Sequence, residues 1–367
     1  MVSGLWSHDY MKLIIQIPAK DEEEHLPAVL RELPRAIPGV DQIEVLVIDD
    51  GSKDRTAQVA LEHGAHHIIR HVSNKGLAAA FQTGVDAALR LGADIIVNTD
   101  ADNQYPSDQI AALIAPILQH RADIVIGDRQ THALAHFSRQ KRLLQHIGSW
   151  VVRRASNTEV PDSVSGFRAL SREAALRIFV TTDFSYTVEN LIQAGKRRLT
   201  VAHIPIRTNH TRPSRLHNGN WNFVKAQAAI IVRTYATYEP FKTFSYIAAP
   251  FVLLGLIFLS RAAYVYVRRN LPPELFGSYA ADNTQALVLG GVLLVIGFIT
   301  FLIGLVADRI GSNRRMLEEL LYRVRRAELE DISWRQHVEQ RLEQLETQQA
   351  TGLVIQRARG ADPTELD

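Results

Sequence analysis

Four short apolar runs in the first 130 residues each stop at a cluster of polar residues. Segments with helical patterning separate these runs, and that alternation predicts βαβ units and a mostly parallel sheet. The carboxyl ends of parallel strands lie at one edge of the sheet, where ligands of such folds bind. The clusters expected at that edge are Lys20–Glu22, Asp49–Ser52, Asp100–Gln104 and Asp128–Arg129.

The cluster that begins at Asp100 follows the apolar run Ile95–Asn98 and carries two carboxylates one residue apart. Residues i and i+2 of an extended chain point to the same side, so Asp100 and Asp102 are expected to face one point. Gln104 adds a neutral oxygen. Such hard oxygen ligands suit Mg²⁺ or Mn²⁺, which often link carboxylates to phosphates. A polar turn before the helix near Pro106 is the alternative, and these residues alone do not decide between the two.

Composition excludes several functional classes. A net charge of +2 gives no argument for nucleic acid as a partner. The absence of cysteine excludes disulfides, thiol catalysis and zinc–thiolate sites. No glycine-rich turn follows the first strand and no Gly-Lys-Ser/Thr loop occurs, so a nicotinamide dehydrogenase and a P-loop NTPase are both disfavoured. Residues 1–10 lack an apolar core, so no secretory signal peptide is expected.

Two later apolar segments, 247–267 and 286–307, have the length needed to cross a bilayer. Arg309, Arg314 and Arg315 follow the second segment, which places both ends of the hairpin and the N-terminal domain in the cytoplasm. Arg268–Arg269 in the connecting loop argues for the opposite orientation. We therefore expect a multi-pass protein of the cell (inner) membrane with a cytoplasmic catalytic domain; a buried helical hairpin in a soluble protein is the alternative.

Four motifs, in order along the chain, resemble those of glycosyltransferase family 2. They are Ile17–Glu23, Val47–Thr56, Asn74–Gly76 and Asp100–Gln104. The sequence is similar to the branch of dolichyl-phosphate mannose synthases and bacterial polyprenyl-phosphate glycosyltransferases, and the match covers roughly residues 12–216. The resemblance implies a Rossmann-like GT-A fold, a nucleotide-sugar donor and inversion at the sugar carbon. UDP- and GDP-sugars both remain open as donors.

The same resemblance implies roles for individual residues. It assigns Asp100, Asp102 and Gln104 to the metal, Mg²⁺ or Mn²⁺, on the donor diphosphate. Asp102, Arg129 and Glu189 are the candidate catalytic residues; Glu189 is a candidate general base, although a helix-surface glutamate is the alternative. The residues expected to bind the nucleotide-sugar are Pro18, Ala19, Lys20, Glu22, Asp50, Lys75, Asp100, Ala101 and Asp102.

A lipid monophosphate acceptor needs cations more than it needs a base. Its second ionisation has a pKa near ~6, so it arrives largely ionised beside a donor that is itself anionic. Arginine binds phosphate through a bidentate fork. The residues expected to bind the acceptor or its phosphate are Arg129, Arg139, Arg142, Ser165, Arg168, Arg212, Ser214 and Arg215.

The chain divides into five predicted regions. Residues 1–216 form the GT-A catalytic domain, 217–245 an interfacial amphipathic helix or linker, and 246–308 the two transmembrane helices. Residues 312–349 have imperfect heptads that predict a coiled coil and self-association as a homo-oligomer. A single helix packed on the catalytic domain is the alternative for that region. Residues 350–367 are predicted to be a disordered tail.

These features favour a membrane-bound enzyme that moves a sugar from a nucleotide to a polyprenyl phosphate. One alternative is a family-2 enzyme that extends a glycan or glycolipid at a hydroxyl group. Another is an inactive membrane scaffold, against which Asp100, Asp102 and Gln104 argue because the metal motif is intact.

Overall fold

The computed structural model describes residues 10–130, 150, 152–153, 156, 158–180, 186–209, 236, 238–270 and 283–360. Within these residues one sheet of seven strands forms the centre of the N-terminal domain. Its strands are β1 (Lys12–Ala19), β2 (Gln42–Asp49), β3 (His67–Arg70), β4 (Ile95–Asn98), β5 (Ile124–Asp128), β6 (Arg168–Ser171) and β7 (Val201–Pro205).

The strand order is β3-β2-β1-β4-β6-β5-β7, and all pairings are parallel except those of β6. β6 lies between β4 and β5 and runs antiparallel to both, with Asn98 opposite Arg168 and Ile126 opposite the same arginine. The sequence predicted the six parallel strands, but it placed residues 162–168 in a loop. The mostly parallel sheet with a single antiparallel strand confirms the predicted α/β, GT-A class of fold.

Helices cover both faces of the sheet. On one face, α1 (Leu26–Glu32), α2 (Thr56–Glu62) and α4 (Ile110–Leu118) bury apolar side chains against it. On the other face lie α3 (Leu77–Arg90), α5 (Arg172–Arg177) and α6 (Tyr186–Lys196). The central strands are buried along nearly their whole length, as expected for a parallel sheet that is covered on both sides.

Two long apolar helices follow the domain, α7 (Pro240–Asn270) and α8 (Thr284–Gly360). Both contain stretches long and apolar enough to cross a membrane, and most of their apolar side chains are exposed. They pack against each other in antiparallel fashion with glycine at the contacts. A Cβ at Gly255 would lie 2.9 Å from Leu294 Cγ, and one at Gly297 would lie 2.6 Å from Val252 Cγ2. Small residues allow this close approach of apolar helices.

α8 does not end with its apolar part. It continues as one helix of 77 residues, and its middle section packs on α3 and α5 of the catalytic domain. Tyr322 and Leu329 are each only 8% exposed there. Residues 350–360, predicted to be disordered, belong to this helix. The predicted interfacial segment 217–245 lies largely outside the described residues.

Candidate functional site

The polar clusters meet at one edge of the sheet because the strands that precede them are in parallel register. Ala19 lies opposite Asp49 between β1 and β2, and Gln16 lies opposite Asn98 between β1 and β4. The first motif is tied to the second. Asp21 N–H donates to Ser52 Oγ at 2.9 Å, and Glu22 N–H donates to Thr56 Oγ1 at 2.9 Å.

The other residues predicted to bind the nucleotide-sugar lie within or beside these strand ends, or are bonded to them: Pro18, Ala19, Lys20, Glu22, Lys75 and Ala101. Lys20 is exposed, whereas Glu22 is buried and lies 3.2 Å from His25 Nδ1. Lys20 is therefore accessible to a ligand. Glu22, through Thr56, holds the first motif against the second.

Asp100 and Asp102 form the acidic centre of this edge. Burial and the neighbouring charge of Asp102 together raise the pKa of Asp100 to about 7, while Arg129 and Arg168 oppose the rise. Asp102 Oδ1 accepts a hydrogen bond of 3.1 Å from the backbone N–H of Gln104. Two half-buried carboxylates that repel each other are stabilised by a cation between them.

The donor set fits a divalent cation of the Mg²⁺ or Mn²⁺ type. Asp100, Asp102 and Gln104 offer only hard oxygen ligands, and the two carboxylates interact electrostatically. Among the described residues, no group of three or more His, Cys, Asp or Glu side chains is placed to hold a metal. A cation here would therefore complete its coordination with ligand oxygens and water, which is how Mg²⁺ binds at phosphate sites.

Asp50 organises the loop that carries Lys75. Its carboxylate accepts hydrogen bonds of 2.8 Å from the backbone N–H of Lys75, the backbone N–H of Gly76 and Nδ1 of His71. His71 also contacts Thr83 Oγ1 at 3.1 Å, so the imidazole connects this loop to α3. Sequence reasoning assigned Asp50 to the nucleotide but missed His71, because a lone histidine after a short strand carries no motif.

The turn between Asp50 and this loop requires glycine. Gly51 has a φ of +69°, and a Cβ there would lie 2.6 Å from the backbone carbon of Ser73. The glycine thus lets the second motif and the loop before Lys75 approach within van der Waals contact. Asp50 and Lys75, the predicted nucleotide-binding residues on either side, are thus held in one fixed arrangement.

Arg129 is held by Asp162. Nε of the arginine donates at 2.7 Å to one carboxylate oxygen and an Nη donates at 3.0 Å to the other. This pairing and the nearby charge of Asp100 raise the pKa of Arg129, although burial opposes the rise. Arg129 brings a fixed positive charge towards Asp100. Part of its fork is already occupied, so it is not wholly available to a phosphate.

Arg168 differs from the prediction. It was expected to bind the acceptor phosphate, but it is fully buried. Its guanidinium donates to the backbone oxygens of Ser165, at 2.6 Å, and Thr187, at 3.1 Å. The physical reason is β6, which places Arg168 inside the sheet between β4 and β5. Ser165 is also fully buried and contributes its carbonyl to Arg168.

Tyr186 and Asn98 lie beside Asp100 and were not predicted as site residues. Asn98 Nδ2 donates to the Gly166 carbonyl at 2.8 Å and lies 3.3 Å from the Tyr186 hydroxyl. A Cβ at Gly166 would come within 3.0 Å of both Asp100 Oδ1 and the Tyr186 hydroxyl. The loop before β6 thus packs directly on the acidic pair. An apolar strand ending in Asn, or a tyrosine starting a helix, gives no sequence signal of this role.

The segment after β7 contacts the Asp100–Gln104 cluster through Asn209. Asn209 N–H donates to the Gln104 carbonyl at 2.9 Å, and Asn209 Nδ2 donates to the Asn103 carbonyl at 2.9 Å. The chain is therefore held against this cluster at Asn209, the last described residue before the basic segment. Five of the predicted acceptor-binding residues, Arg139, Arg142, Arg212, Ser214 and Arg215, lie outside the described residues.

Glu189 lies on α6 and is only 4% exposed. Its carboxylate accepts hydrogen bonds from Gln193 Nε2 and Arg314, each at 3.2 Å, and from the Tyr238 hydroxyl at 3.4 Å. Arg314 belongs to α8. The predicted alternative of a helix-surface glutamate is thus wrong as to exposure. These contacts make the residue an ion-pair partner of the C-terminal helix.

Comparisons with known proteins identify the family. The profile of glycosyl transferase family 2 matches residues 14–179. A UDP-N-acetylglucosamine–dolichyl-phosphate N-acetylglucosaminyltransferase of Methanococcus voltae is 30% identical over 228 residues, covering 56% of this chain and 88% of that protein. The polyprenol monophosphomannose synthase of Mycolicibacterium smegmatis is 26% identical over 206 residues, covering 53% of this chain and 76% of that protein.

Solved structures were compared as well. The glucosyl-3-phosphoglycerate synthase of Mycobacterium tuberculosis, in complex with Mn²⁺, UDP and glucosyl-3-phosphoglycerate, gives a TM-score of 0.47 at 22% identity. The match covers 62% of this chain and 80% of that one. The family assignment rests on the profile match and on the similarity to the Methanococcus voltae enzyme, not on the solved structure. The chain belongs to glycosyltransferase family 2 and is a glycosyltransferase.

Proposed function

We propose that this enzyme transfers a sugar from a UDP- or GDP-sugar to a polyprenyl phosphate at the cytoplasmic face of the cell membrane. The proposal rests on two features that occur together in this chain. An acidic edge suited to a nucleotide diphosphate lies in a domain that is packed on the continuation of an apolar helix. Relatives named for dolichyl-phosphate and polyprenol substrates point to the same acceptor class.

The first steps concern the donor. Asp50, by fixing the loop of Lys75 and Gly76, shapes the part of the edge that would take the nucleoside. Asp100, Asp102 and Gln104 would hold a divalent cation, which would offset charge on the departing diphosphate. Arg129, fixed by Asp162, supplies a positive charge close to Asp100 without a loss of side-chain freedom on binding.

The transfer itself is a single displacement. An oxygen of the lipid phosphate attacks the anomeric carbon, the bond from that carbon to the diphosphate oxygen breaks, and the configuration inverts. No proton must be removed from the acceptor, because a phosphate monoester is largely ionised near neutral pH. This explains how the reaction proceeds while the Glu189 carboxylate is paired with Arg314. The basic segment that begins after Asn209 is the proposed clamp for the lipid phosphate.

The test is a transfer assay with purified full-length protein in detergent. Labelled UDP- and GDP-sugars are offered with Mg²⁺ or Mn²⁺ to polyprenyl phosphate, and in parallel to glycolipid and glycan acceptors with free hydroxyl groups. We expect label in polyprenyl-phosphate sugar, abolished by a chelator. Transfer to hydroxyl acceptors alone would overturn the acceptor assignment, and transfer unaffected by a chelator would overturn the metal.

A further inference from the structure

The middle section of α8 has two faces, and the catalytic domain covers only one. On the covered face Tyr322 and Leu329 are buried, and Glu318 pairs with Arg197 at 3.1 Å. Arg325 pairs with Asp86 and donates to the Ile178 carbonyl at 3.1 Å, at the C-terminal end of α5. These residues recur at spacings of three and four, so they occupy one side of the helix.

The opposite side carries an exposed apolar stripe. Leu317, Leu320, Val324 and Trp334 are 66%, 52%, 62% and 64% exposed. With Ala327 between them, they follow the alternating spacing of three and four residues that defines the a and d positions of a coiled coil. In that register the residues docked on the domain fall at positions b and f, nearly opposite the stripe. The domain and a second helix can therefore contact α8 at the same time.

We propose that this stripe pairs in parallel with the same stripe of a second copy of the chain. Charge complementarity beside the stripe supports a second copy of the chain as its partner. In a parallel pair, each g position faces the next e position of the partner helix. Arg323 at g would then face Glu328 at e, and Glu330 at g would face Arg335 at e. These four side chains are between 46% and 72% exposed, so they are accessible to a partner.

The parallel orientation rests on the proposed membrane insertion. The stripe is on the same unbroken helix as the second candidate span, so two copies in one membrane would present their stripes in the same direction. A lipid surface fits the stripe less well. Trp334 lies about 36 Å along the helix from Ile310, beyond the reach of the bilayer surface, and charges of both signs flank the stripe.

Asp331 is the polar residue at an a position of this seam. Arg335 of the same helix lies 2.9 Å from its carboxylate, which reduces the repulsion between two facing aspartates. A polar a position lowers the stability of a coiled coil and fixes its register and its number of strands. The seam therefore specifies one alignment, in which Leu320 faces Leu320 and Val324 faces Val324.

Disulfide cross-linking tests the proposal, because the chain has no cysteine and each variant would carry a single thiol. Leu320→Cys and Val324→Cys are made separately in the full chain, and membranes are treated with a mild oxidant and run on non-reducing gels. The control is Arg326→Cys, at an exposed c position that points away from the seam. We expect a cross-linked dimer from the two seam variants and at least tenfold less from the control. No cross-link at the seam, or an equal amount from the control, would overturn the proposal.

A second measurement tests the charges. Glu330→Arg puts like charges opposite each other and should lower the dimer fraction in detergent, measured by light scattering at several concentrations. Adding Arg335→Glu should restore it. A wild-type monomer at all concentrations, or a single variant that dimerises like the wild type, would contradict the pairing. Because neither readout uses sugar transfer, failure here is distinguishable from failure of the proposed reaction.

Discussion

Arg314 of α8 donates a hydrogen bond of 3.2 Å to Glu189 of α6, which lies 125 residues earlier in the chain. The guanidinium also lies 4.9 Å from the centre of the Tyr238 ring, just before α7 begins. One arginine thus connects the helix that leaves the apolar hairpin, the chain that enters it, and the helix whose first residue lies against Asp100.

This contact predicts the effect of losing the arginine. Arg314→Ala should destabilise the docked helix by about 1–3 kcal/mol, because the buried Glu189 carboxylate loses its ion pair with this arginine. Thermal unfolding in detergent measures the effect. Arg121→Ala is the control, since that arginine is exposed and lies just before β5 rather than in α8. Equal melting temperatures for the two variants would contradict the structural role.

Glu189→Gln separates an ion-pair role from general-base catalysis. A general base contributes about 10²–10⁴-fold, and glutamine cannot accept a proton. As an ion-pair partner, Glu189 can be replaced by glutamine with a lower melting temperature and a kcat within about tenfold of wild type. A loss of kcat of a hundredfold or more in a variant that unfolds like the wild type would restore Glu189 as the base.

Asp102→Ala should abolish transfer, because it removes one of two carboxylates expected to hold the divalent cation. Binding of Mn²⁺, followed by electron paramagnetic resonance in the presence of UDP or GDP, should be lost in the same variant. Asp108→Ala is the matched control: that carboxylate is 62% exposed and pairs with Arg207 on the surface. Retained turnover in Asp102→Ala would remove the metal role.

Asp50→Asn should weaken nucleotide binding. The asparagine amide would face the backbone N–H groups of Lys75 and Gly76, so at least one of the hydrogen bonds that order the loop is lost. We expect the KM for the nucleotide-sugar to rise about tenfold, the equivalent of about 1.4 kcal/mol. The KM for the lipid should stay within twofold, and a change confined to the lipid would mean that the loop serves the acceptor.

Arg212→Ala should raise the KM for polyprenyl phosphate, because the basic segment of Arg212 follows Asn209, which is bonded to the Asp100–Gln104 cluster. Loss of a charge-assisted contact to phosphate corresponds to about tenfold or more. Arg121→Ala serves as the control, since Arg121 is exposed just before β5, at the opposite end of that strand from Asp128. Unchanged kinetics in Arg212→Ala would show that the clamp lies elsewhere.

Arg168→Met should act on folding rather than on the acceptor. The arginine is fully buried and its donors are taken up by the backbone oxygens of Ser165 and Thr187, which would be left without those partners. We expect a lower melting temperature and reduced yield, with an unchanged lipid KM in the protein that does fold. A selective rise in that KM would reinstate Arg168 as a phosphate ligand.

The sequence predicted the fold well where local patterns carry the information. Apolar runs such as Ile95–Asn98, ended by polar residues, marked the parallel strands and the edge where they meet. It did not predict β6, because Arg168–Ser171 is only four residues long and begins with a charged residue. This strand forms through its pairing with β4 and β5, which are distant from it in the chain. The roles of Arg168 depend on that placement, so they were missed with it.

The acidic motif Asp100–Gln104 could be recognised because its spacing repeats a known pattern, whereas the contacts around it could not be predicted. His71, Asn98 and Tyr186 reach the site from separate elements, and nothing in their local sequence distinguishes them from other residues. Similarly, a heptad pattern after residue 312 predicted two alternatives, a coiled coil and a helix packed on the domain. The helix packs on the domain through one face. Its other face is exposed, so the coiled coil stays a proposal.

The unbroken course of α8 has a consequence for how the enzyme would meet its lipid. Ala307, the last residue of the apolar segment, lies seven residues before Arg314, a distance of about 10 Å along the helix. Because α8 runs without a break from the apolar segment to the section docked on the domain, insertion of the hairpin in a bilayer would keep the acidic edge at a constant height above it. A lipid phosphate would then be used at the depth where it normally resides, and only the water-soluble donor would need to travel.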